Sequence, residues 1–577
     1  MKPTKSLLRV LLLLLAPMAL FGGSRLRAQE DFYVNADLPW HNAVLDSQGR
    51  LLAWYHPEKN LGYDEFMRLD WGFLEHNVPV DPANGLKIYL THAIFDGKSL
   101  QGTYWQHNPA STFAHLVDAL VRWYPYSGDE EALPVVRTML DYQLAHGMTP
   151  SNWEWAGVPF ATSCNGDTDY GHCLKDMPKG FYGGIETDKV AELGLAFVLV
   201  YEMSGDRRYL DAGIRSANAL EKHIRPGDAD HTPWPFRLDA HTGDVIADEQ
   251  FGGMIVASVR LFDELIKIGQ GDTTSYKKAR DMAWQWIMDW PINKHSAAWA
   301  KWSGYYEDIP HDTLNVNDMS SIMTAYYILS QDDPATVDPN WLVDVRFLID
   351  RSRSLLGRGP FFGAWAIDEQ LRPDGGFPGI TNKDFATNGG AIAGAASRVC
   401  CSGSGLVCRT SQWGAINAMF YAKSKDGSAR ENAFRSLNYA TYFASSDGKI
   451  SATGHGTGDK YWFEDGYSDA GRSFMWALGA VPAFAPIGQD HLLNSTSTVQ
   501  KVKYGANRVE YRTFGQSGTE LLRLSFLPAR VTAGGAELSK QDALKGEGYS
   551  IQPIDGGDYV VRVNHMNSPE VVIAGKL

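Results

Sequence analysis

Long apolar helices alternate with amphipathic helices along most of the chain. Residues 191–201 are apolar at almost every position, whereas residues 209–220 carry apolar side chains every three or four positions, with polar residues between them. The same contrast separates 250–268 from 276–290 and 319–329 from 341–356. Because a helix that is apolar all round is buried, the pattern predicts an inner ring of buried helices inside an outer ring of half-exposed ones.

Short turns rich in Gly and Asp join each predicted inner helix to its outer partner. They read Ser127-Gly128-Asp129, Ser204-Gly205-Asp206, Gly269-Gln270-Gly271-Asp272, Ser330-Gln331-Asp332-Asp333-Pro334 and Lys425-Asp426-Gly427. A sixth helical hairpin is predicted to start near Ser468. Repetition of this kind predicts a mainly α fold, an (α/α)6 toroid of six helical hairpins.

The connections from each outer helix to the next inner helix are long. They span roughly residues 147–185, 224–249, 291–316, 357–408 and 447–466. Loops of this length are uncommon unless they build a functional surface, and all five are expected at one end of the ring. We therefore expect the functional site at the long-loop end, opposite the short turns.

The pattern changes after about Gln500. Short segments of alternating polar and apolar residues, separated by Gly and Asp, predict a small antiparallel β-sandwich over residues 497–577. The toroid is assigned to residues 104–490. Residues 29–103, which have mixed periodicity, are assigned to a lead-in or cap.

The first 28 residues have the pattern of a secretory signal. Lys2, Lys5 and Arg9 precede an apolar run over residues 11–20, and Ala28 offers a small residue for cleavage. The alternative is an N-terminal membrane anchor, for which the run is short. We expect an exported protein, periplasmic or extracellular, with no membrane partner once the signal is removed.

The formal net charge of −14 narrows the range of partners. A chain this acidic is a poor general binder of nucleic acid or of anionic membranes, although a local basic subsite is compatible with it. Five cysteines suggest disulfide staples on long loops, with metal binding as the weaker alternative. Cys164 is expected to pair with Cys173, and Cys400 or Cys401 could pair with Cys408, which leaves one thiol over and the second connectivity open.

Several catalytic motifs are missing from the sequence. There is no His-Glu-x-x-His zinc helix, no Gly-x-Ser-x-Gly elbow and no phosphate loop, and no cofactor is expected. Asn165-Gly166-Asp167-Thr168-Asp169 could bind a structural calcium ion through side-chain oxygens, but it lacks the distal glutamate of a calcium loop, and a turn is the alternative.

Acidic residues stand beside aromatic residues in the long loops, which favours carbohydrate chemistry. Sugar rings stack on Trp and Tyr, and cleavage of a glycosidic bond typically uses two carboxyl groups. The catalytic candidates are Asp188, Glu307, Asp308, Glu464 and Asp465. The substrate-binding candidates are Trp105, His107, Trp234, Trp302, Tyr305, Trp462, Tyr467 and Arg472. The alternatives are helix capping for Asp188, solvated surface acids for the others, and simple packing for the aromatic residues.

The six helix pairs, the Ser-Gly-Asp turns and the terminal β module together resemble the six-hairpin glycosidase superfamily. The resemblance is architectural and covers roughly residues 104–485. It implies carbohydrate cleavage, since the superfamily includes unsaturated glucuronyl hydrolases, and polysaccharide lyases use similar toroids with β domains. The predicted function is an exported glycoside hydrolase acting on a poly- or oligosaccharide, with uronate-containing glycans among the candidates. The alternatives are a polysaccharide lyase and a noncatalytic glycan-binding protein of the cell envelope.

Overall fold

A computed structural model provides the structure of the protein. It describes residues 40–42, 44–48, 50–103, 107–164, 166–171, 183–247, 255–293, 319–355, 398–400, 407–450 and 460–576. Twelve α-helices lie within these residues and form the predicted (α/α)6 toroid. The outer helices are α1 (Leu61–Gly72), α3 (Ala132–His146), α5 (Arg207–His223), α7 (Thr273–Ile287), α9 (Trp341–Leu355) and α11 (Gly427–Ala440). The inner helices are α2 (Pro109–Ser127), α4 (Thr187–Ser204), α6 (Ile255–Lys267), α8 (Met319–Ser330), α10 (Val407–Ser424) and α12 (Ala470–Ala480).

The inner helices pack side by side in chain order, and α12 closes the ring by packing against α2. Their described side chains are buried on almost every face. The described part of α4, for example, is buried from Thr187 to Val198 without a break. The apolar pattern of residues 191–201 therefore predicts the position of this helix correctly.

The Ser-Gly-Asp turns have a local chemical explanation. Ser204 Oγ donates to the carbonyl oxygen of Val200, one turn earlier in α4. Gly205 then adopts the left-handed conformation, with φ of 75°, and Asp206 caps α5 by accepting a hydrogen bond from the backbone N–H of Arg208. The other short turns follow the same scheme in part, with Gly128 also left-handed and with Asp272 and Asp426 as N-caps.

The sixth hairpin joins helices from opposite ends of the toroid sequence. The ring of Phe66 in α1 lies 4.5 Å from that of Phe474 in α12, and Trp71 stacks at 6.5 Å on Trp123 in α2. Helix α1 thus covers α12 and α2 from outside. It lies within residues 29–103, for which the sequence pattern predicts a lead-in or cap. No outer helix follows α12, because the chain turns at Pro482 toward the β domain.

Short strands precede several inner helices at the long-loop end. They are β1 (Trp40–Asn42), β2 (Ile94–Asp96), β3 (Gly184–Glu186), β4 (Arg237–Asp239), β5 (Val245–Ala247), β6 (Arg398–Cys400) and β7 (Lys460–Trp462). Strands β3, β4 and β5 form one antiparallel sheet in which Glu186 is paired with Arg237. Strand β7 pairs with β2 and leads directly into the segment before α12.

The C-terminal part is an antiparallel β-sandwich, as predicted. Its strands are β8 (His491–Ser495), β9 (Val499–Gly505), β10 (Arg508–Thr513), β11 (Gly518–Leu524), β12 (Pro528–Ala533), β13 (Ala536–Glu537), β14 (Gly548–Pro553), β15 (Tyr559–His565) and β16 (Glu570–Gly575). One sheet has the order β13-β12-β16-β10-β9 and the other β14-β15-β11-β8. Alternating side chains such as Val509, Leu522 and Ile573 form their common core.

The β-sandwich covers the short-turn ends of α2 and α4. His491 stacks on Tyr126 with ring centroids 4.0 Å apart, and Gln500 Nε2 donates to the carbonyl oxygen of Glu202 at 2.7 Å. Tyr504 donates to the carbonyl oxygen of Pro125. These contacts leave the opposite, long-loop end as the approach to the toroid axis. Of the helices in the described ranges, none is long and apolar enough to cross a membrane.

Candidate functional site

Buried charged side chains from three inner helices meet at the centre of the ring. His115 of α2 is surrounded by carboxylates: its Nδ1 lies 2.7 Å from Asp469 Oδ1, and its Nε2 lies 3.3 Å from Glu192 Oε1 of α4. Arg472 of α12 lies 2.6 Å from the same oxygen of Asp469, one helical turn away. These contacts fix the histidine ring and tie α2, α4 and α12 together.

A small cavity lies among five of the six inner helices, next to this cluster. Its volume is about 20 Å³, which is more than one water molecule needs. Its lining consists of Ala114, His115, Asp118, Glu192, Leu195, Ala196, Leu199, Ala257, Arg260, Met323 and Arg472. Because the residues come from helices on different sides of the ring, the cavity lies on the toroid axis.

Glu464 stands beside this cluster, in the π-helical segment Phe463–Asp469 that leads into α12. Asn108 Nδ2 donates to its Oε2 at 3.0 Å, and Ser111 Oγ donates to its Oε1 at 2.8 Å. His115 Nδ1 lies 4.0 Å from the same Oε1. The side chain remains 22% exposed, so that a ligand entering from the long-loop end can reach it.

The environment makes Glu464 a weak acid. Burial raises its pKa, and the negative charges of Asp469 and Asp465 raise it further, whereas His115 lowers it; the balance places the pKa at about 7. A carboxyl group in this state carries its proton in slightly acidic solution and can give it up. This is the property required of a general acid.

His115 is held in its charged form. Burial and Arg472 oppose protonation, but the carboxylates of Asp469 and Glu192 outweigh them and raise the pKa of His115 to about 9. The imidazole is therefore a cation at neutral pH, and both of its ring nitrogens carry a proton.

Glu192 is shifted in the direction opposite to Glu464. Burial would raise its pKa, but His115, Arg472 and Lys189 outweigh that effect and hold the pKa below its ordinary value. Its Oε2 is buried and accepts no hydrogen bond from the described residues. Glu192 therefore presents an ionised oxygen beside the cavity that has no hydrogen-bond donor among the described residues.

Three arginines share one carboxylate at the inner end of the cavity. Asp118 is bonded by Arg122, lies 3.5 Å from Arg260 Nη2 and lies 3.9 Å from Arg472 Nη1. Arg122 also donates to the hydroxyl of Tyr326 at 2.8 Å. These guanidinium groups hold the pKa of Asp118 well below its usual range, against the opposing effect of burial.

Two predicted site residues, Glu464 and Arg472, lie in this centre, and Asp465 is next to it. Asp465 Oδ1 accepts a hydrogen bond from Cys408 Sγ at 3.4 Å. Cys408 is a buried free thiol, so the expected pairing of Cys408 with Cys400 or Cys401 is wrong. Asp188 lies buried in the first turn of α4, four residues before Glu192.

Four predicted substrate-binding residues have buried, structural positions instead. His107 lies between the carbonyl oxygen of Tyr89 and the hydroxyl of Ser163, and burial lowers its pKa to about 3. Trp234 is fully buried and donates to the carbonyl oxygen of Leu220. The other two are Tyr467, which stacks on Phe73, and Trp462, which packs with Ala93 and Ile94. The structure does not bring these four side chains to the cavity, because the hydrophobic effect favours burial of isolated loop aromatics.

The remaining predictions fall outside the described residues. They concern the signal at 1–28, Trp105, Trp302, Tyr305, Glu307, Asp308 and Cys173. The disulfide between Cys164 and Cys173 stays a prediction for this reason. In the predicted calcium loop, Asp169 Oδ1 is paired with His146 Nδ1 at 2.9 Å.

Sequence reasoning missed His115, Asp118, Glu192 and Arg260. A signal was nevertheless present. His115, Asp118 and Arg122 recur at three- and four-residue spacing along a helix that is otherwise buried, and Glu192 interrupts an apolar run. Charged residues on one face of an inner helix indicate a polar centre, because they are costly to bury unless they meet partners.

Three groups of side chains among the described residues could hold a metal ion by distance alone. One of them, Glu75, His76 and Glu131, does not line the axial cavity, and the other two lie at the candidate site. These two are His115, Glu464 and Asp469, and Cys408, Asp465 and Asp469. Asp469 belongs to both groups, but Arg472 lies 2.6 Å from its Oδ1 and Arg409 lies 3.8 Å from its Oδ2. Because these cations already compensate the shared carboxylate, the donor set fits a metal ion poorly.

Comparison with known proteins identifies similar folds. No family model matches the chain, and no curated protein matches it. Cellobiose 2-epimerase from Spirochaeta thermophila is 11% identical, with 73% of this chain and 98% of that chain covered and a TM-score of 0.46. A family 76 glycoside hydrolase from a bovine Bacteroides thetaiotaomicron strain is 11% identical, with 74% and 79% covered and a TM-score of 0.42. The α-1,2-mannosidase from Trichoderma reesei is 12% identical, with 79% and 93% covered and a TM-score of 0.38.

The arrangement of six helical hairpins agrees with the architecture that the sequence predicts. The proteins named above are an epimerase and two glycosidases, and their sequence identities and TM-scores are low. The likeness therefore does not choose among reactions. For this chain, the observation that bears on activity is the arrangement of Glu464 and Glu192 around His115.

Proposed function

We propose that this chain is an exported glycoside hydrolase that cleaves a poly- or oligosaccharide at the long-loop end of the toroid. In this proposal Glu464 is the general acid and Glu192 is the general base or nucleophile. The observation that carries the proposal is the opposite pKa shift of two carboxyl groups on either side of His115. Carboxyl pairs whose environments separate their pKa values in this way divide the acid and base roles between them.

Glu464 fits the role of the acid in position as well as in pKa. It is the partly exposed member of the pair, and Asn108 and Ser111 fix both of its oxygens. A fixed carboxyl group can deliver its proton to a glycosidic oxygen without searching for the correct orientation. Proton transfer of this kind contributes about 10² to 10⁴ to the rate.

Glu192 fits the complementary role. It lines the axial cavity, stays ionised, and has one oxygen without a partner among the described residues. Its other oxygen is held by His115. A carboxylate arranged in this way can accept a proton from water or attack an anomeric carbon, depending on its separation from the acid.

His115 argues for hydrolysis over the lyase alternative at this site. A lyase needs a base for the C5 proton of a uronate, and histidine is one side chain that can serve. Since His115 keeps its proton up to about pH 9, it has no basic nitrogen to offer at neutral pH. We assign it a positioning role between the two carboxyl groups.

The test compares Glu464→Gln, Glu192→Gln and a matched control, Glu131→Gln, in the full chain. Glu131 is on the surface of a short turn, with 71% of its side chain exposed. Each variant is assayed on uronate-containing and neutral glycans by release of reducing ends, and on the nitrophenyl glycoside of the sugar released. A nitrophenolate leaving group needs no protonation.

The proposal expects both site variants to lose cleavage of the natural glycan by at least about a hundredfold, while Glu131→Gln retains it. Glu464→Gln should still act on the nitrophenyl glycoside, and Glu192→Gln should not. Full activity of either site variant on the glycan rejects its assignment, and Glu307 and Asp308 then become the next candidates. If wild-type protein binds glycans but releases no reducing ends from any of them, the protein is a noncatalytic glycan binder.

A further inference from the structure

The buried cluster around the cavity contains more cations than carboxylates. Four cationic side chains, His115, Arg122, Arg260 and Arg472, contact three carboxylates, Asp118, Glu192 and Asp469. Glu464, 4.0 Å from His115, and Arg409, 3.8 Å from Asp469, add one carboxyl group and one cation. Among the described residues of this cluster the cations therefore exceed the carboxyl groups by one, in a chain whose formal charge is −14. A surplus charge away from water is costly unless a ligand compensates it.

Arg260 is the cation that a ligand in the cavity can reach. Its side chain is 18% exposed and lines the cavity, whereas Arg472 is only 2% exposed. Among the described residues it makes one hydrogen bond, at 3.5 Å to Asp118, and its guanidinium lies 5.0 Å from the ring centre of Tyr326. A bond of this length leaves most of the donor capacity of the guanidinium unused.

The cavity can accept polar atoms of a ligand beside Arg260. Its volume of about 20 Å³ is more than one water-sized sphere needs. Leu195, Leu199 and Met323 form apolar walls beside the arginine. A planar carboxylate can meet the guanidinium of Arg260 with two parallel hydrogen bonds.

We propose that the axial cavity is a subsite for the carboxylate group of an acidic sugar, and that Arg260 is the residue that binds it. The inference rests on the proposed function in taking the sugar ring to lie at Glu464. It narrows the substrate class to glycans that contain uronic acids. Arg472 and His115 contribute positive potential behind the carboxylate, while Glu192 remains available to a hydroxyl group or water.

The direct test measures binding of two ligands that differ only in charge. Glucuronate and the isosteric neutral glucuronamide are titrated into the full chain at pH 7 and followed by NMR. The proposal expects glucuronate to bind at least about tenfold more tightly, a difference of about 1.4 kcal/mol. Equal affinity for the two ligands, or no binding of glucuronate, overturns it. Tighter binding of a sulfated sugar, such as N-acetylglucosamine 6-sulfate, overturns the choice of a carboxylate.

Two variants test whether the axial cavity causes the preference for glucuronate, and a third variant serves as a control. Arg260→Gln removes the charge, and Ala257→Leu fills the cavity with all charges intact; both should abolish the preference for glucuronate. Arg208→Gln changes an arginine with 60% of its side chain exposed and should preserve the preference. Circular dichroism verifies that each variant is folded. If both folded site variants retain the preference, the carboxylate binds elsewhere and the proposal is wrong.

The outcomes separate this inference from the proposed function. Loss of glycan cleavage in Glu464→Gln without discrimination between glucuronate and glucuronamide rejects only the carboxylate subsite. Discrimination that depends on Arg260, combined with full cleavage by Glu464→Gln, rejects only the assignment of the acid.

Discussion

Glu464 and Glu192 show how neighbours decide the role of a side chain. Both are glutamates near His115, yet Glu464 has two carboxylates close to it, while Glu192 has Arg472 and Lys189. The first is therefore protonated at a pH at which the second is ionised. Sequence composition predicted acid–base chemistry near Glu464, but the partner depended on a contact between helices that are far apart in the chain.

This difference predicts the pH dependence of the reaction. The ratio kcat/KM should fall as pH rises through about 7, because Glu464 then loses the proton that it must donate. The residual cleavage of the natural glycan by Glu464→Gln should lack this alkaline limb. An alkaline limb that persists unchanged in the variant would show that another group supplies the proton.

Trp234 provides a residue-scale test of the prediction that it binds substrate. Since it is fully buried and bonded to the carbonyl of Leu220, Trp234→Phe should lower the free energy of unfolding by about 1 to 3 kcal/mol, through loss of that bond and of packing. KM for the glycan should stay unchanged. Urea unfolding and steady-state kinetics measure the two effects. A large rise in KM at unchanged stability would show that Trp234 contributes to binding of the glycan.

The short turns are the elements that sequence predicted best. Serine, glycine and aspartate act there through local bonds within a few residues, such as the cap of Asp206 on Arg208. Local chemistry of this kind can be read without knowledge of the tertiary structure. The position of α1 could not be read in this way, because its partner Phe474 lies about 400 residues later in the chain.

A capping variant tests the account of these turns. Asp206→Ala should lower the free energy of unfolding by about 1 kcal/mol, since the N-terminus of α5 loses its side-chain acceptor. Asp211→Ala, on the exposed face of the same helix, is the control and should have a smaller effect. Thermal unfolding of both variants measures the difference. Equal stability of the two would remove capping as the reason for the aspartate.

At the scale of the whole molecule, the toroid and the β-sandwich meet near a buried acid. Glu202 lies at the end of α4, where its carbonyl accepts a bond from Gln500. Burial, together with the nearby Glu264, raises the pKa of Glu202 to about 9. The folded protein therefore holds a proton that the unfolded chain releases at much lower pH.

The sign of the resulting pH effect follows from linkage. The stabilising effect of this proton is complete below the ordinary carboxyl pKa of 4.5 and is lost as pH rises toward about 9. Glu202→Gln, which cannot ionise, should raise Tm relative to wild type at pH 8 to 9 and have little effect near pH 4. A variant whose Tm difference from wild type is the same at both pH values would contradict this account.

The architecture as a whole could be predicted from the sequence, whereas the site could be predicted only in part. Helical periodicity and local turns predicted the ring of helices and placed the functional site at its long-loop end. Glu464 and Arg472 were found because they lie near aromatics in one short stretch. His115, Glu192 and Arg260 were not found, because they lie on three different helices and come together only when the ring of helices closes.

The most direct test of the central claim follows reducing ends and ultraviolet absorbance together while the full chain acts on uronate-containing and neutral glycans. The same assay is run with Glu464→Gln and Glu192→Gln. The account predicts that wild-type protein releases reducing ends from uronate-containing glycans without the absorbance of a new double bond, and that both variants lose this release. Equal release by wild type and variants, or a parallel rise in absorbance, would contradict it.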